Sequence, residues 1–248
     1  MTQQSSHLSD LPHKLQGGNP NGVKPKYIAL IPAAGVGARM AANVPKQYLE
    51  LVGRSVLQRT VDCFLNCPQI DQIFVVVSVE DAFIDEALAE HKKLTVLNCG
   101  GATRRDTVQN GLDVIRNFSH YQDHDHILVH DAARPGLTPA LVSKLIEAVG
   151  DDVNGGLLAL PVVDTVKRII AGQVETIDRT NLWLAQTPQM FSLGLLSRAL
   201  EMAIVVTDEA SAIETIGYRP KLVEGAMRNL KLTVPEDLEF LKLFFKEL

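Results

Sequence analysis

The sequence predicts an α/β protein built on a doubly wound, mostly parallel, Rossmann-like sheet, with a β-hairpin inserted late in the chain. Three observations predict it. Apolar runs of strand length alternate with amphipathic helical patterns from Tyr27 onward. These runs are too uniformly apolar for a sheet with one wet face, which argues for helices on both sides. The first run empties into a glycine- and alanine-rich loop, where sheets of this kind carry their ligands.

In chain order, strands are expected at Tyr27–Pro32, Ile73–Ser78, Leu94–Asn98, His126–His130 and Gly156–Val162. Between them, Leu57, Val61, Phe64 and Leu65 fall on one helical face. Phe83, Ala87 and Leu88 repeat the pattern behind Asp81, a candidate N-cap. Val108, Leu112 and Ile115 mark a third helix, and Leu141, Leu145 and Ile146 a fourth. After Pro161 the rhythm breaks: two β-rich runs flank Ala171-Gly172, a hairpin turn, giving an arm over about 161–182. A lone hairpin has too little core to stand by itself, so it is expected to pack on another subunit. Helices follow at Leu193–Ile204 and Asp208–Ile216, and a last one starts at Pro235-Glu236-Asp237.

Composition bounds the rest. The 248 residues suffice for one large domain, expected over 27–248 behind a polar leader, 1–26, that is expected to be disordered. A net charge of −5 gives no reason to expect nucleic acid or a membrane surface as partner, and no apolar run is long enough to span a bilayer. Cys63, Cys67 and Cys99 lack CxxC spacing, so neither a disulfide framework nor a zinc site is expected, and a cytoplasmic location fits.

The chemistry is most open in IPAAGVGARMAANVPKQY, residues 31–48. A dinucleotide fingerprint needs a third glycine where Met40 stands, and a Walker loop needs a lysine directly after glycine; both fail. What remains is a loop whose bare N–H groups at Gly35 and Gly37 can face an anion, with Arg39 and Lys46 just beyond. Taken alone, the stretch fits a plain strand-to-helix turn equally well.

Eight ordered motifs decide between these: PAAGVGARM, PKQYLEL, GGATRRDTVQNGL, VHDAARP, PVVDTVKR, DRTNLWLAQTPQMF, TDEASAIE and NLKLTVPEDL. Together they resemble the 2-C-methyl-D-erythritol 4-phosphate cytidylyltransferases of the non-mevalonate isoprenoid route, nucleotidyltransferases that use CTP. The resemblance implies Arg39, Lys46 and Lys231 as catalytic cations. It also implies that Ala33, Ala34, Gly35, Gly37, Gly101 and Thr107 bind the nucleotide, with Thr107 and the backbone holding the base. Family members often carry an acidic residue where Ala102 stands, so a contact needing that side chain is not expected here. Asp131, Arg134, Thr165, Arg179 and Thr187 are implied to bind the polyol phosphate, the arm crossing to a second subunit to make a homodimer. Asp131 is also the implied protein contact for Mg²⁺, otherwise held by phosphates.

Several finer expectations accompany these. Arg104 and Arg105 cannot both face one ligand from a helix, so one of them is expected simply to meet solvent. His130 is expected to be a buried neighbour and not a general base. The crowd from His120 to His126 sits in one loop and is not taken as a metal site. A phosphate monoester is already an anionic nucleophile, so in-line attack on the α-phosphorus of CTP needs positioning and charge stabilisation, not a base. Ribitol 5-phosphate cytidylyltransferase and a non-catalytic nucleotide-binding scaffold stay open as alternatives.

Overall fold

The computed structural model describes residues 24–35 and 44–245. The expected strands appear as β1 (Tyr27–Pro32), β2 (Gln72–Val76), β3 (Leu94–Leu97), β4 (His126–Val129) and β5 (Gly156–Pro161). The hairpin is β6 (Val166–Ile170) and β7 (Gln173–Ile177). Its turn residues Ala171 and Gly172 both take positive φ, 50° and 79°, which matches the twist of the two strands. Two strands went unrecognised in the sequence: β8 (Trp183–Ser192) and β9 (Lys221–Glu224).

The main sheet runs β3-β2-β1-β4-β8-β5-β9. Its neighbours pair in parallel except β8, which is antiparallel to both β4 and β5. The hairpin forms a separate two-stranded sheet, leaving the body after β5 and returning into β8.

Alternation along β1 shows why both faces are covered. Ala29 and Ile31 point into one core, with Leu57, Val61 and Phe64 of α1 (Val56–Leu65) and Val142, Leu145 and Ile146 of α4 (Pro139–Val149). Ile28 and Leu30 point into the other, with Val108, Leu112 and Ile115 of α3 (Arg104–Arg116) and Leu196, Ala199 and Leu200 of α5 (Leu193–Met202). Capping fixes where these helices start: Ser55 accepts from Gln58 N, Thr138 from Leu141 N, and Thr103 forms a capping box with Asp106.

The segment behind Asp81 is shorter than expected. Asp81 Oδ1 does accept from Phe83 N at 3.0 Å and Ile84 N at 3.1 Å, yet α2 (Ile84–Ala87) is one turn, and Leu88 is already extended. The polar run Glu90-His91-Lys92-Lys93 offers no apolar face to carry the helix on. The expected final helices are α6 (Glu209–Thr215) and α7 (Pro235–Phe245). A small third core of Leu51, Val56, Ala133, Leu232 and Leu241 docks α7.

Candidate active site

The chain runs from β1 outward to β2 and β3, then crosses back to place β4 on the other side of β1. The carboxyl ends of β1 and β4 are therefore the switch point where a doubly wound sheet opens a crevice. Ala33, Ala34 and Gly35 leave β1 there, and His130 and Asp131 leave β4.

The loop after β1 is held by a residue that the sequence reading passed over. Gln47, buried in a 3-10 turn at Lys46–Tyr48, donates from Nε2 to the carbonyls of Ala33 (2.8 Å) and Gly35 (2.9 Å). Lys46, its neighbour, is thereby fixed beside the loop and donates from Nζ to the Leu232 carbonyl at 2.7 Å. In PKQYLEL the glutamine stands between Lys46 and Tyr48, and nothing local marks it for burial. Gly37 and Arg39 lie outside the described residues.

On the far side of β1, the GGA turn approaches the same loop. A Cβ on Gly100 would come within 2.4 Å of Ala34 Cβ and 2.8 Å of the Val77 carbonyl, so only glycine permits this contact. Thr107 is buried and does not face solvent. Its hydroxyl donates to Thr103 O (2.9 Å) and accepts from Gly101 N (3.1 Å), which fixes the glycine turn that the nucleotide-binding expectation rests on.

Asp131 is the electrostatic centre. Arg104 Nε meets its Oδ1 at 2.9 Å, Lys231 Nζ meets its Oδ2 at 2.9 Å, and Arg134 Nε stands 3.5 Å from Oδ2. Burial works against ionisation of Asp131, but Arg104, Lys231 and Arg134 outweigh it and hold the carboxyl far below the ordinary carboxylate range. Arg134 also donates to the Asn229 carbonyl at 2.7 Å, tying this cluster to the segment that carries Lys231. Neither adjacent arginine merely meets solvent. Arg104 forks onto Glu209 (2.6 and 3.0 Å) as well as reaching Asp131, while Arg105 turns the other way to the Leu200 carbonyl. Side chains one position apart on a helix diverge, and here both find partners on the body of the protein.

Behind Asp131 lies a buried relay. The Arg134 carbonyl can only accept, so His130 Nε2 carries the proton and donates to it (3.2 Å). His130 Nδ1 then accepts from the Thr187 hydroxyl (2.9 Å), which itself accepts from Asp131 N (3.1 Å). Burial pushes the His130 pKa down to about 4, so the ring is neutral at pH 7 and serves as scaffolding. Thr187 thus sits beside Asp131 with its hydroxyl engaged. Thr165 and Arg179 are exposed on the arm, and neither hydrogen-bonds nor ion-pairs to the Asp131 cluster.

The donor set bears on magnesium. Among the described residues no three His, Cys, Asp or Glu side chains group to hold a metal, and both Asp131 oxygens already face cations. A divalent ion placed there would compete with Arg104 and Lys231 for the Asp131 oxygens. His126, the first residue of β4, is stacked on Tyr27 with ring centroids 5.4 Å apart.

The model of the family IspD, 2-C-methyl-D-erythritol 4-phosphate cytidylyltransferase, matches residues 27–247. The chain belongs to this family. A relative from Ralstonia nicotianae, carrying the same family name, is 50% identical over 225 residues, covering 86% of this chain and 88% of its own. One from Neisseria meningitidis serogroup C is 47% identical over 224 residues, covering 89% and 98%. A crystal structure of a 4-diphosphocytidyl-2C-methyl-D-erythritol synthase superposes with a TM-score of 0.81 at 45% identity, covering 90% of this chain and 99% of that one. Membership in the cytidylyltransferase family makes the chain a nucleotidyltransferase of isoprenoid biosynthesis. No helix among the described residues is long and apolar enough to cross a membrane.

Proposed function

We propose that the crevice between β1 and β4 transfers CMP from CTP to 2-C-methyl-D-erythritol 4-phosphate, releasing pyrophosphate and forming 4-diphosphocytidyl-2-C-methyl-D-erythritol. The observation that carries the reading is the convergence of Arg104, Arg134 and Lys231 on buried Asp131, with Lys46 anchored one residue from Lys231 on the same segment.

In this reading an acceptor phosphate oxygen attacks the α-phosphorus in line, the bond to the bridging oxygen breaks, and the electron pair leaves with pyrophosphate. The Gly35 and Gly37 backbone lines the triphosphate, and Ala33 and Ala34, with Gly101 and Thr107, frame the base. Arg39, Lys46 and Lys231 stabilise charge building around the reacting phosphate. Asp131 holds Lys231 in place and, with Arg134, faces the acceptor. Mg²⁺, when bound on the phosphate oxygens, would neutralise part of their charge.

The arm completes the proposal. Ile169 (71% exposed) and Val174 (65% exposed) are direct cross-strand partners, an apolar pair too open to be left in water. Packing that pair on a second copy makes a homodimer and carries Thr165 and Arg179 toward the partner's acceptor site. A cytoplasmic location accompanies the reading.

The test is pyrophosphate release from CTP and Mg²⁺ with each acceptor separately. Release with methylerythritol phosphate supports the assignment. Release with ribitol phosphate alone transfers the site to a sibling reaction, and silence with both leaves only a nucleotide-binding scaffold.

A further inference from the structure

Glu209 is a carboxylate that the catalytic reading does not use. It is 1% exposed, and both of its oxygens are spent on the Arg104 guanidinium, at 2.6 and 3.0 Å. The backbone that presents it is fixed from both sides. Asp208, the residue before it, accepts from Ser211 N as the cap of α6 (2.9 Å) and from Gln189 Nε2 of β8 (2.9 Å). Ala210, the residue after it, donates to Gln189 Oε1 at 2.8 Å. A buried ion pair contributes little net stability compared with apolar packing, so this much anchoring asks for another reason.

A guanidinium is planar, so fixing its two terminal nitrogens fixes the direction of Nε. In Arg104 that nitrogen points at Asp131 Oδ1, which sets the plane of the carboxylate and presents Oδ2 to Lys231. The chain of contacts therefore runs Glu209, Arg104, Asp131, Lys231, from the start of α6 to the C-terminal segment.

We propose that Glu209 is a positioning residue for cytidylyl transfer, acting through Arg104 to orient Asp131 and hence Lys231. The proposal rests on the assignment of the Asp131 crevice as the active site. It has an electrostatic corollary. The cluster holds three cations against two carboxylates, and Glu209→Gln leaves three against one. Phosphates are then attracted at least as strongly, while Lys231 loses its defined position. Turnover falls and the KM for CTP does not rise.

The experiment is a double-mutant cycle on the full-length enzyme, with CTP and methylerythritol phosphate, thermal midpoints being measured alongside. Glu209→Gln is expected to lower kcat by about 10- to 100-fold, the scale of a misplaced catalytic group. In the Arg104→Gln background the same change is expected to cost nothing more, because its route is already cut. Glu209→Asp, which keeps the charge but withdraws it from the fork, is expected to fall between wild type and Glu209→Gln. Losses that multiply across the cycle, or a folded Glu209→Gln enzyme with wild-type kcat, overturn the proposal. Asp131→Asn in the same assay separates the two ideas: normal turnover there removes the active-site assignment itself. A crippled Asp131→Asn enzyme with multiplying losses at 104 and 209 removes only the positioning role.

Discussion

The Lys46 ammonium donates to the main-chain carbonyl of Leu232 at 2.7 Å, joining positions 186 residues apart in sequence. Leu232 directly follows Lys231, whose own ammonium lies 2.9 Å from Asp131. Two lysines from opposite ends of the domain thus reach one crevice, and one of them steadies the segment that carries the other.

That link makes the two lysines interdependent. Lys46→Ala and Lys231→Ala are each expected to lower kcat by about 10²–10³ while the folded state persists, the scale for losing one preorganised charge donor. The double variant is expected to lose less than the product of the two, because Lys46→Ala already loosens Lys231. Steady-state kinetics on proteins with native circular dichroism check this. Near-normal turnover in either single variant discards the catalytic assignment.

Gln47 gives a second prediction. Replacing it by leucine leaves the Ala33 and Gly35 carbonyls without their donor, and Ala33 is buried. The expected loss is about 1–3 kcal/mol of stability, seen as a lower urea midpoint with unchanged slope. Because the same carbonyls shape the proposed triphosphate loop, the KM for CTP is expected to rise more than kcat falls. Unchanged stability and KM would show that the loop holds its shape without Gln47.

These cases also show what the sequence could and could not reveal. The parallel strands were legible because Ile28–Ile31 and Ile73–Val76 are apolar without interruption, as burial on both faces demands. β8 was not, although it lies in the middle of the sheet. Gln186, Thr187 and Gln189 interrupt its apolar pattern, and Pro188 argues against a central strand. The fold accommodates them because each polar side chain is bonded: Gln186 to Ala226 O, Thr187 to Asp131 N, and Gln189 to Asp208 and Ala210. The candidate site divides the same way. Lys46, Asp131, Arg134 and Lys231 were named from motifs and meet in space. Gln47 and Glu209 were passed over, and Arg104 was read only as one of an adjacent pair with one member in solvent, because their roles lie in tertiary partners that no local spacing encodes.

His130 yields a pH dependence. Its pKa is pushed from an ordinary 6.5 down to about 4 by burial, so between those values the unfolded chain binds a proton that the folded chain refuses. Stability from this group is therefore fully present above pH 6.5, falls as pH drops through the window, and levels off below 4. The difference amounts to about 3 kcal/mol. Urea midpoints between pH 7.5 and 4.5 are expected to fall more steeply in wild type than in His130→Gln. Parallel curves would assign the acid sensitivity to other groups.

The arm supplies the last prediction. Ile169 and Val174 face each other across the hairpin, and on the same face Lys167 donates to Thr176. In a single copy Ile169 is 71% exposed, so replacing it by glutamate removes little packing within the subunit. A surface change of that kind ordinarily alters folding stability by about 0.5 kcal/mol or less. Across a two-fold interface the same change buries a carboxylate twice without a partner, which is strongly unfavourable. Ile169→Glu is therefore expected to fold normally, sediment as a monomer, and show a raised KM for the acceptor with little change in the KM for CTP. That asymmetry follows because Thr165 and Arg179 ride on the arm, while the proposed nucleotide loop stays within its own subunit. A dimer that survives the substitution would place the interface elsewhere, and a monomer with full acceptor affinity would show that each subunit completes its own site.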